Sequence, residues 1–175
     1  MPDYPQHLVR THHLFDGTEV VIRPIRPADA GIEQDFVRGL SDDSRYNRFM
    51  GQLRELAPRK LQYFTEIDYE QHMALIATVM RDGHEVEIGV ARYFVSPGNE
   101  NCEFAVVVDD AWHGSGVAGL LMLDLMEAAR GRGLKTMEGF VLTSNHKMLK
   151  FTRQLGFELH RDMGEGDTVR VVKTL

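Results

Sequence analysis

The chain carries a single cysteine, Cys102, in 175 residues. One thiol cannot build a disulfide framework within a chain, and it fits a reducing compartment. Long apolar runs are also missing: nothing approaches the roughly 20 residues that a bilayer-spanning helix needs. The opening MPDYPQHLVRTHH lacks the apolar core of a signal peptide. A cytoplasmic location is therefore expected. Basic charge is not in excess, since 20 Lys and Arg stand against 26 Asp and Glu, a formal charge of −6. Nucleic-acid binding relies on clustered cations, so neither nucleic acid nor membrane is an expected partner. What remains is 43% apolar and 26% charged, an ordinary globular composition long enough to bury one core.

Residues 1–14 are polar, hold Pro2 and Pro5, and show no period, which reads as a flexible tail. His7, His12 and His13 lie there without the cysteine or carboxylate that would complete a ligand set, so no metal is expected. After the turn signal Asp16-Gly17, Val20, Ile22 and Ile25 mark a first strand that ends at Pro27. Helical patterns follow over about 28–40, from Ser41 through Phe49, and after Pro58. The pattern then changes. MALIATVM (73–80), EIGVARYFV (87–95) and CEFAVVV (102–108) are strands separated by Asp82-Gly83 and Pro97-Gly98-Asn99. Such short connections allow no crossover, so these strands are antiparallel neighbours. A helix (115–130), a strand (135–142), a helix (145–155) and two strands (157–163 and 168–174) complete the reading. Helix and strand alternate only in the second half, which predicts one α/β domain with a mixed sheet over 15–175.

The chemistry begins where the strand 102–108 leads into DDAWHGSGVAG and an amphipathic helix. Backbone N–H groups at a helix start have no intrahelical partner, and the macrodipole adds positive charge. Gly114, Gly116 and Gly119 remove the side chains that would hold a phosphate off, so the loop reads as a diphosphate site. GSGVAG also spells G-x-G-x-x-G, the dinucleotide fingerprint, with Glu138 about where an acidic ribose ligand is sought. Against that reading, the preceding strand follows hairpins, too few crossovers remain afterwards, and Glu138 sits inside a strand pattern.

The same stretch resembles the acyl-CoA motif of the GNAT acetyltransferases, Q/R-x-x-G-x-G/A. Here it reads His113-Gly114-Ser115-Gly116-Val117-Ala118, with His113 in place of the usual Gln or Arg. The resemblance implies that the N–H groups of 114–119 hold the CoA pyrophosphate. A second family motif follows as Asn145-x-x-Met148-x-x-Phe151-x-x-x-Leu155-Gly156-Phe157. It implies that Asn145 touches the pantetheine arm and that Met148 and Phe151 lie on a helix beside it; Asn145 also reads as an N-cap. Upstream, DGTEVVIRPIRPADA, LSDDSRYNRFM and EIDYEQHMALIA resemble the acetyltransferase domain of bacterial protein lysine acetyltransferases. The resemblance spans about 15–174. It implies a mostly antiparallel central sheet flanked by helices, with acetyl-CoA as co-substrate. It also implies an amine acceptor, a protein lysine or a small molecule, and a monomer or homodimer.

Acetyl transfer to an amine requires a base, because only about one lysine side chain in 2,500 is neutral at pH 7. Alternation places Glu103, Ala105 and Val107 on one side of CEFAVVV, and a carboxylate in such a strand faces a cleft or a partner. The resemblance implies that Glu103 is the base. It also implies that N–H groups around Val106, Val107 and Val108 pair with the pantetheine amides as an added strand would. Where many GNAT enzymes carry a Tyr general acid, this chain has Thr152, leaving water or Tyr93 for that role. The missing Tyr keeps a non-catalytic acyl-CoA sensor as an alternative. Cys102 reads as a buried apolar residue rather than a nucleophile. Asp42, Asp43, Arg45, Tyr46 and Arg48 read as an acceptor wall or as a solvated helix face, and His146 and Lys147 as CoA-phosphate neighbours or exposed charge.

Overall fold

The computed structural model describes residues 2–161 and 166–175. In chain order the elements are β1 (Arg10–His13), β2 (Glu19–Pro24), α1 (Ala30–Gly39), α2 (Asp42–Phe49), α3 (Pro58–Thr65), β3 (His72–Arg81), β4 (His84–Val95), β5 (Asn101–Val108), α4 (Val117–Gly131), β6 (Thr136–Leu142), α5 (His146–Gln154), β7 (Glu158–His160) and β8 (Thr168–Thr174). The strands form one sheet in the order β1-β2-β3-β4-β5-β6-β8-β7. Every described pairing is antiparallel except β5 with β6. The β3–β4 hairpin turns on Asp82 and Gly83, both with positive φ (53° and 79°), directly between the paired Arg81 and His84. That is the two-residue turn whose twist matches its strands.

The sheet is covered on both faces. One face packs Leu75, Ala91, Tyr93, Phe104 and Val106 against Leu121, Leu125 and Met126 of α4. The other packs Ile25, Ala74, Ile76 and Val90 against Phe36 and Val37 of α1 and Phe64 of α3. Buried side chains of this size each contribute about 1.5–3 kcal/mol relative to exposure, so the two layers hold the central strands rigidly between them.

The first residues depart from the expected flexible tail. Residues Arg10–His13 form an edge strand, with Arg10 opposite Ile22 and His13 opposite Glu19. Its sequence, RTHH, lacks an apolar period because polar side chains fasten it. Arg10 donates to both carboxylate oxygens of Glu127 on α4 at 2.6 and 2.9 Å, and His12 Nε2 lies 2.9 Å from Asp124. Elsewhere the expected elements are shifted by a few residues at most. The strand read over 157–163 is confined to β7 among the described residues; positions 162 and 163 lie outside them.

The feature that positions the site is a fork. β5 and β6 share only three register pairs, Asn101 with Thr136, Cys102 with Met137, and Glu103 with Glu138. Beyond them the strands separate. Gly139 makes room for Phe104 at this point, since a Cβ there would stand 2.5 Å from Phe104 Cε1.

Candidate active site

A cavity of about 1240 Å³ fills the fork. Its walls are β5 from Phe104 to Val108, the β6 residues Phe140 and Val141, the loop opening α4, the start of α5, and the exposed flank of α2. The direction of the β5 backbone groups follows from hydrogen bonds at both of its ends. Ser96 N–H donates to Asn101 O and Asp109 N–H to Ile88 O, each at 2.8 Å. With Phe94 opposite Glu103 and Gly89 opposite Val108, the odd-numbered residues of β5 bond to β4. The N–H and C=O groups of Phe104, Val106 and Val108 therefore face away from β4, into the fork. Val108 O is met by His113 Nε2–H at 3.0 Å.

At the far end of β5 the chain turns into α4. Gly116 is the N-cap residue in a left-handed conformation (φ 93°), and no side chain caps the helix. Gly114 also has positive φ. The side chains of Ser115 and Val117 are used by the fold: Ser115 Oγ donates to Trp112 O at 2.6 Å, and Val117 is fully buried. His113, Gly114, Gly116, Ala118 and Gly119 line the cavity. What this end presents is thus backbone N–H, glycine surface and the positive end of a fifteen-residue helix dipole, which suits an anion. Across the fork, Asn145 Oδ1 accepts from Met148 N–H at 3.3 Å and caps α5, placing Met148 and Phe151 on the cavity wall.

Glu103 stands at the root of the fork, one residue before the lining begins. Its side chain is exposed, on the α1–α3 face of the sheet with Phe94. Partial burial raises its pKa, the adjacent Glu138 raises it further, and the Arg48 cation opposes both. Such a carboxylate holds a proton more readily than an isolated one, as a general base requires. Glu138 is itself paired with Arg170 at 3.1 Å.

The other reactive groups named from the sequence are placed elsewhere. Thr152 is fully buried and its hydroxyl donates to Leu149 O at 3.0 Å. Tyr93 is 1% exposed, and burial drives its phenol well above the ordinary range. Cys102 is fully buried, with its thiol pushed up to about 12 by burial first and the Glu138 charge second. None of these three lines the cavity. On α2 the expected acceptor wall divides. Asp43 and Arg48 line the cavity together with Ser41, Ser44 and Asn47, whereas Arg45 is buried beneath the helix and Tyr46 is exposed. His146 and Lys147 line the opposite wall.

One group of residues went unnoticed in the sequence. Between the sheet and helices α1 and α3, Arg92 donates to Glu33 Oε2 at 2.9 Å and to Phe64 O at 3.2 Å, and its Nη1 lies 2.9 Å from His72 Nε2. Burial, and then the Arg92 charge, lowers His72 to about 3, so it is neutral and its Nε2 accepts. Glu87 is 2% exposed and neither oxygen accepts a hydrogen bond; as an acid it donates to Glu33. Burial and the neighbouring Glu33 carboxylate raise its pKa well above the ordinary range, so it is a neutral acid. The signal available was charge inside an apolar strand, Glu87 and Arg92 within EIGVARYFV.

Comparison with known proteins agrees with this geometry. The acetyltransferase (GNAT) domain family model matches residues 19–158. An acetyltransferase of Pseudomonas aeruginosa is 36% identical over 162 residues, which cover 93% of this chain and 86% of that protein. The GNAT domain of the protein acetyltransferase of S. lividans superposes with a TM-score of 0.90 at 29% identity, covering 99% of this chain and all of that one. A spermidine N-acetyltransferase from Vibrio cholerae, solved with CoA and spermine, shares the fold (TM-score 0.72, 14% identity, 89% of this chain and 95% of that one). The dinucleotide reading fails on topology, because the strand entering the glycine loop is the last of an antiparallel series and not the first of a parallel one. The forked sheet and the glycine-opened helix are those of an acyl-transfer fold, and the chain belongs to the GNAT acetyltransferase family.

Proposed function

We propose that this acetyltransferase moves the acetyl group of acetyl-CoA to a primary amine by direct attack, with Glu103 as general base. The observation that carries the reading is the fork. It sets a carboxylate of raised pKa at the root of a strand whose Val106 N–H and C=O and Val108 N–H face a long cavity. The cavity closes on the anion-binding start of α4. A phosphate at one end, an amide-bearing arm along β5 and a thioester near Glu103 form the outline of acyl-CoA.

In this reading the N–H groups of Gly114, Gly116, Ala118 and Gly119 receive the pyrophosphate, while those of Ser115 and Val117 are taken by Trp112 O and Ser115 Oγ. The C=O of Val106 and the N–H of Val108 pair with the pantetheine amides, whereas Val107, expected to join them, has its backbone groups turned to β4 and supplies no partner. Asn145, Met148 and Phe151 flank the arm, and His113 steadies the end of β5 through Val108 O. The Val106 N–H polarises the thioester carbonyl as charge develops on its oxygen. Glu103 takes the ammonium proton, the amine nitrogen bonds to the carbonyl carbon, and the carbon–sulfur bond breaks as the nitrogen's second proton passes through water to the departing sulfur. A thiol pKa near about 8.5 makes the departing thiolate tolerable. With Thr152 and Tyr93 both buried, water is its proton source. A protein lysine is the first acceptor to screen, because the S. lividans domain comes from a protein acetyltransferase.

The test is calorimetric titration with acetyl-CoA, with NADH as control, followed by thiol release across a panel of primary amines. Acetyl-CoA binding with amine-dependent thiol release is expected. Thiol release with no amine in the panel, despite tight binding, would remove the transferase chemistry from this cavity.

A further inference from the structure

The α2 side of the cavity holds a cation that forms no ion pair among the described residues. Consider every arginine whose side chain is at least partly covered. Arg10 holds Glu127, Arg23 holds Asp29 and Glu85, Arg45 holds Asp42, Arg92 holds Glu33, Arg132 holds Glu70 and Arg170 holds Glu138. Arg48 is partly covered too, yet no carboxylate or carbonyl among the described residues lies within bonding distance of it. Its guanidinium is oriented by aromatic rings alone, 4.7 Å from the Phe49 centroid and 5.8 Å from that of Phe64. Burial and the nearby Arg92 charge lower its pKa to about 10, outweighing the pull of the Glu33 and Glu103 carboxylates. A desolvated guanidinium with open donors is costly unless something supplies the anion.

The location says what that anion accompanies. The start of α2 is fastened to the β5–α4 loop, where Asp110 accepts from Ser41 N–H (3.0 Å), Ser41 Oγ (2.8 Å) and Ser44 Oγ (3.0 Å). Arg48 lies two turns further along, roughly 10 Å from that anchor, and it lines the cavity with Ala105 and Val107. It is close enough to Glu103 for its charge to act on that carboxyl. The cation thus overlooks the reacting end and not the glycine loop.

We infer that Arg48 anchors a carboxylate carried by the acceptor beside its amine, so that the enzyme selects amino-acid-like or acidic-peptide acceptors. This rests on the reading that the amine enters at Glu103. The two residues then match a zwitterion: Glu103 faces the ammonium and Arg48 the carboxylate, through the two-pronged donor geometry that a guanidinium offers. An acceptor that lacks the carboxylate brings only like charge towards Arg48 and is disfavoured.

The test measures kcat/KM by thiol release for matched amines, lysine against 1,5-diaminopentane and a Lys-Asp peptide against its Lys-Asn twin. Wild type, Arg48→Gln and Arg48→Lys are compared, with acetyl-CoA affinity measured for each. The expected result is a preference of about 10²-fold for the carboxylate-bearing member. It collapses through KM in Arg48→Gln and is partly kept in Arg48→Lys, while acetyl-CoA binding is unchanged. Preference in the lysine pair assigns an α-carboxylate, and preference in the peptide pair a side-chain carboxylate; either supports the inference. Equal use of both members by wild type overturns it, as does weakened acetyl-CoA binding in Arg48→Gln with selectivity intact. Turnover of carboxylate-free and carboxylate-bearing amines alike overturns this inference while sparing the transferase reading. Turnover of no amine overturns both.

Discussion

Glu103 faces Glu138 in the last register pair that β5 and β6 share before the strands part. The two carboxyls stand where the sheet stops being a sheet, and only Glu138 has a cation of its own, Arg170. Removing the Glu138 charge therefore lowers the Glu103 pKa. In the proposed mechanism Glu103 acts ionised, so activity is expected to be lost as pH falls through that pKa. In Glu138→Gln the acid limb of kcat/KM is expected at lower pH than in wild type. An unmoved limb would mean that Glu103 does not set it.

Glu103→Gln keeps the shape of the side chain and removes the base. Turnover is expected to fall about 10²-fold or more, with acetyl-CoA affinity near wild type. Single-turnover rates with calorimetric Kd values separate the two effects, and undiminished turnover would take Glu103 out of the mechanism.

At the phosphate end, Gly116→Glu combines a carboxylate with a backbone whose φ of 93° disfavours any side chain. Loss of acetyl-CoA binding by about 10²-fold is expected. Gly116→Asn is the control, because Asn tolerates left-handed backbone and adds no charge. Comparable loss in both variants would trace the effect to strain and not to the diphosphate.

A methyl group at position 139 collides with Phe104, 2.5 Å from Cε1 and 2.8 Å from Cζ. Gly139→Ala is expected to cost about 1–3 kcal/mol in urea unfolding. The cost shrinks in a Phe104→Leu background, and simple additivity of the two changes would show that the contact is not the cause.

Burial of neutral Glu87 makes stability depend on pH. The folded state keeps a proton that the unfolded chain releases above the ordinary value of 4.5. The unfolded state thus binds fewer protons, and stability falls as pH rises from about 4.5 towards the raised folded pKa, by up to about 1.4 kcal/mol per pH unit. Glu87→Gln, neutral at every pH, is expected to lose less stability between pH 5 and pH 8. Parallel wild-type and variant curves would show that Glu87 is ionised in the fold.

Much of this site was legible before any coordinates, because it is local. Strand alternation put Glu103, Ala105 and Val107 on one face, and the β4–β5 register keeps them there. Ser41 and Asn145 read as N-caps and accept from Ser44 N–H and Met148 N–H. The glycine loop announced a helix start without side chains. Each of these depends on neighbours a few residues apart, where the chain's own geometry leaves little choice.

Tertiary structure decided the rest, and in each case the reason is a partner distant in sequence. Polar RTHH becomes a strand because Glu127 and Asp124 of α4 bind it. Arg45 and Arg48, one helical turn apart, differ because Arg45 points back to the carbonyls of Val37, Arg38 and Leu40 while Arg48 reaches the cavity. Glu87 and Arg92 are five residues apart, which strict alternation assigns to opposite faces. The register shift at Ala77/Thr78, which pairs Ala77 with Gly89 and Thr78 with Glu87, adds an unpaired residue and turns Glu87 to the face of Arg92 and Glu33. Periodicity alone specifies which residues share a side; it does not specify where a strand breaks its period, which strand parts from its neighbour, or which buried charge finds a counter-ion.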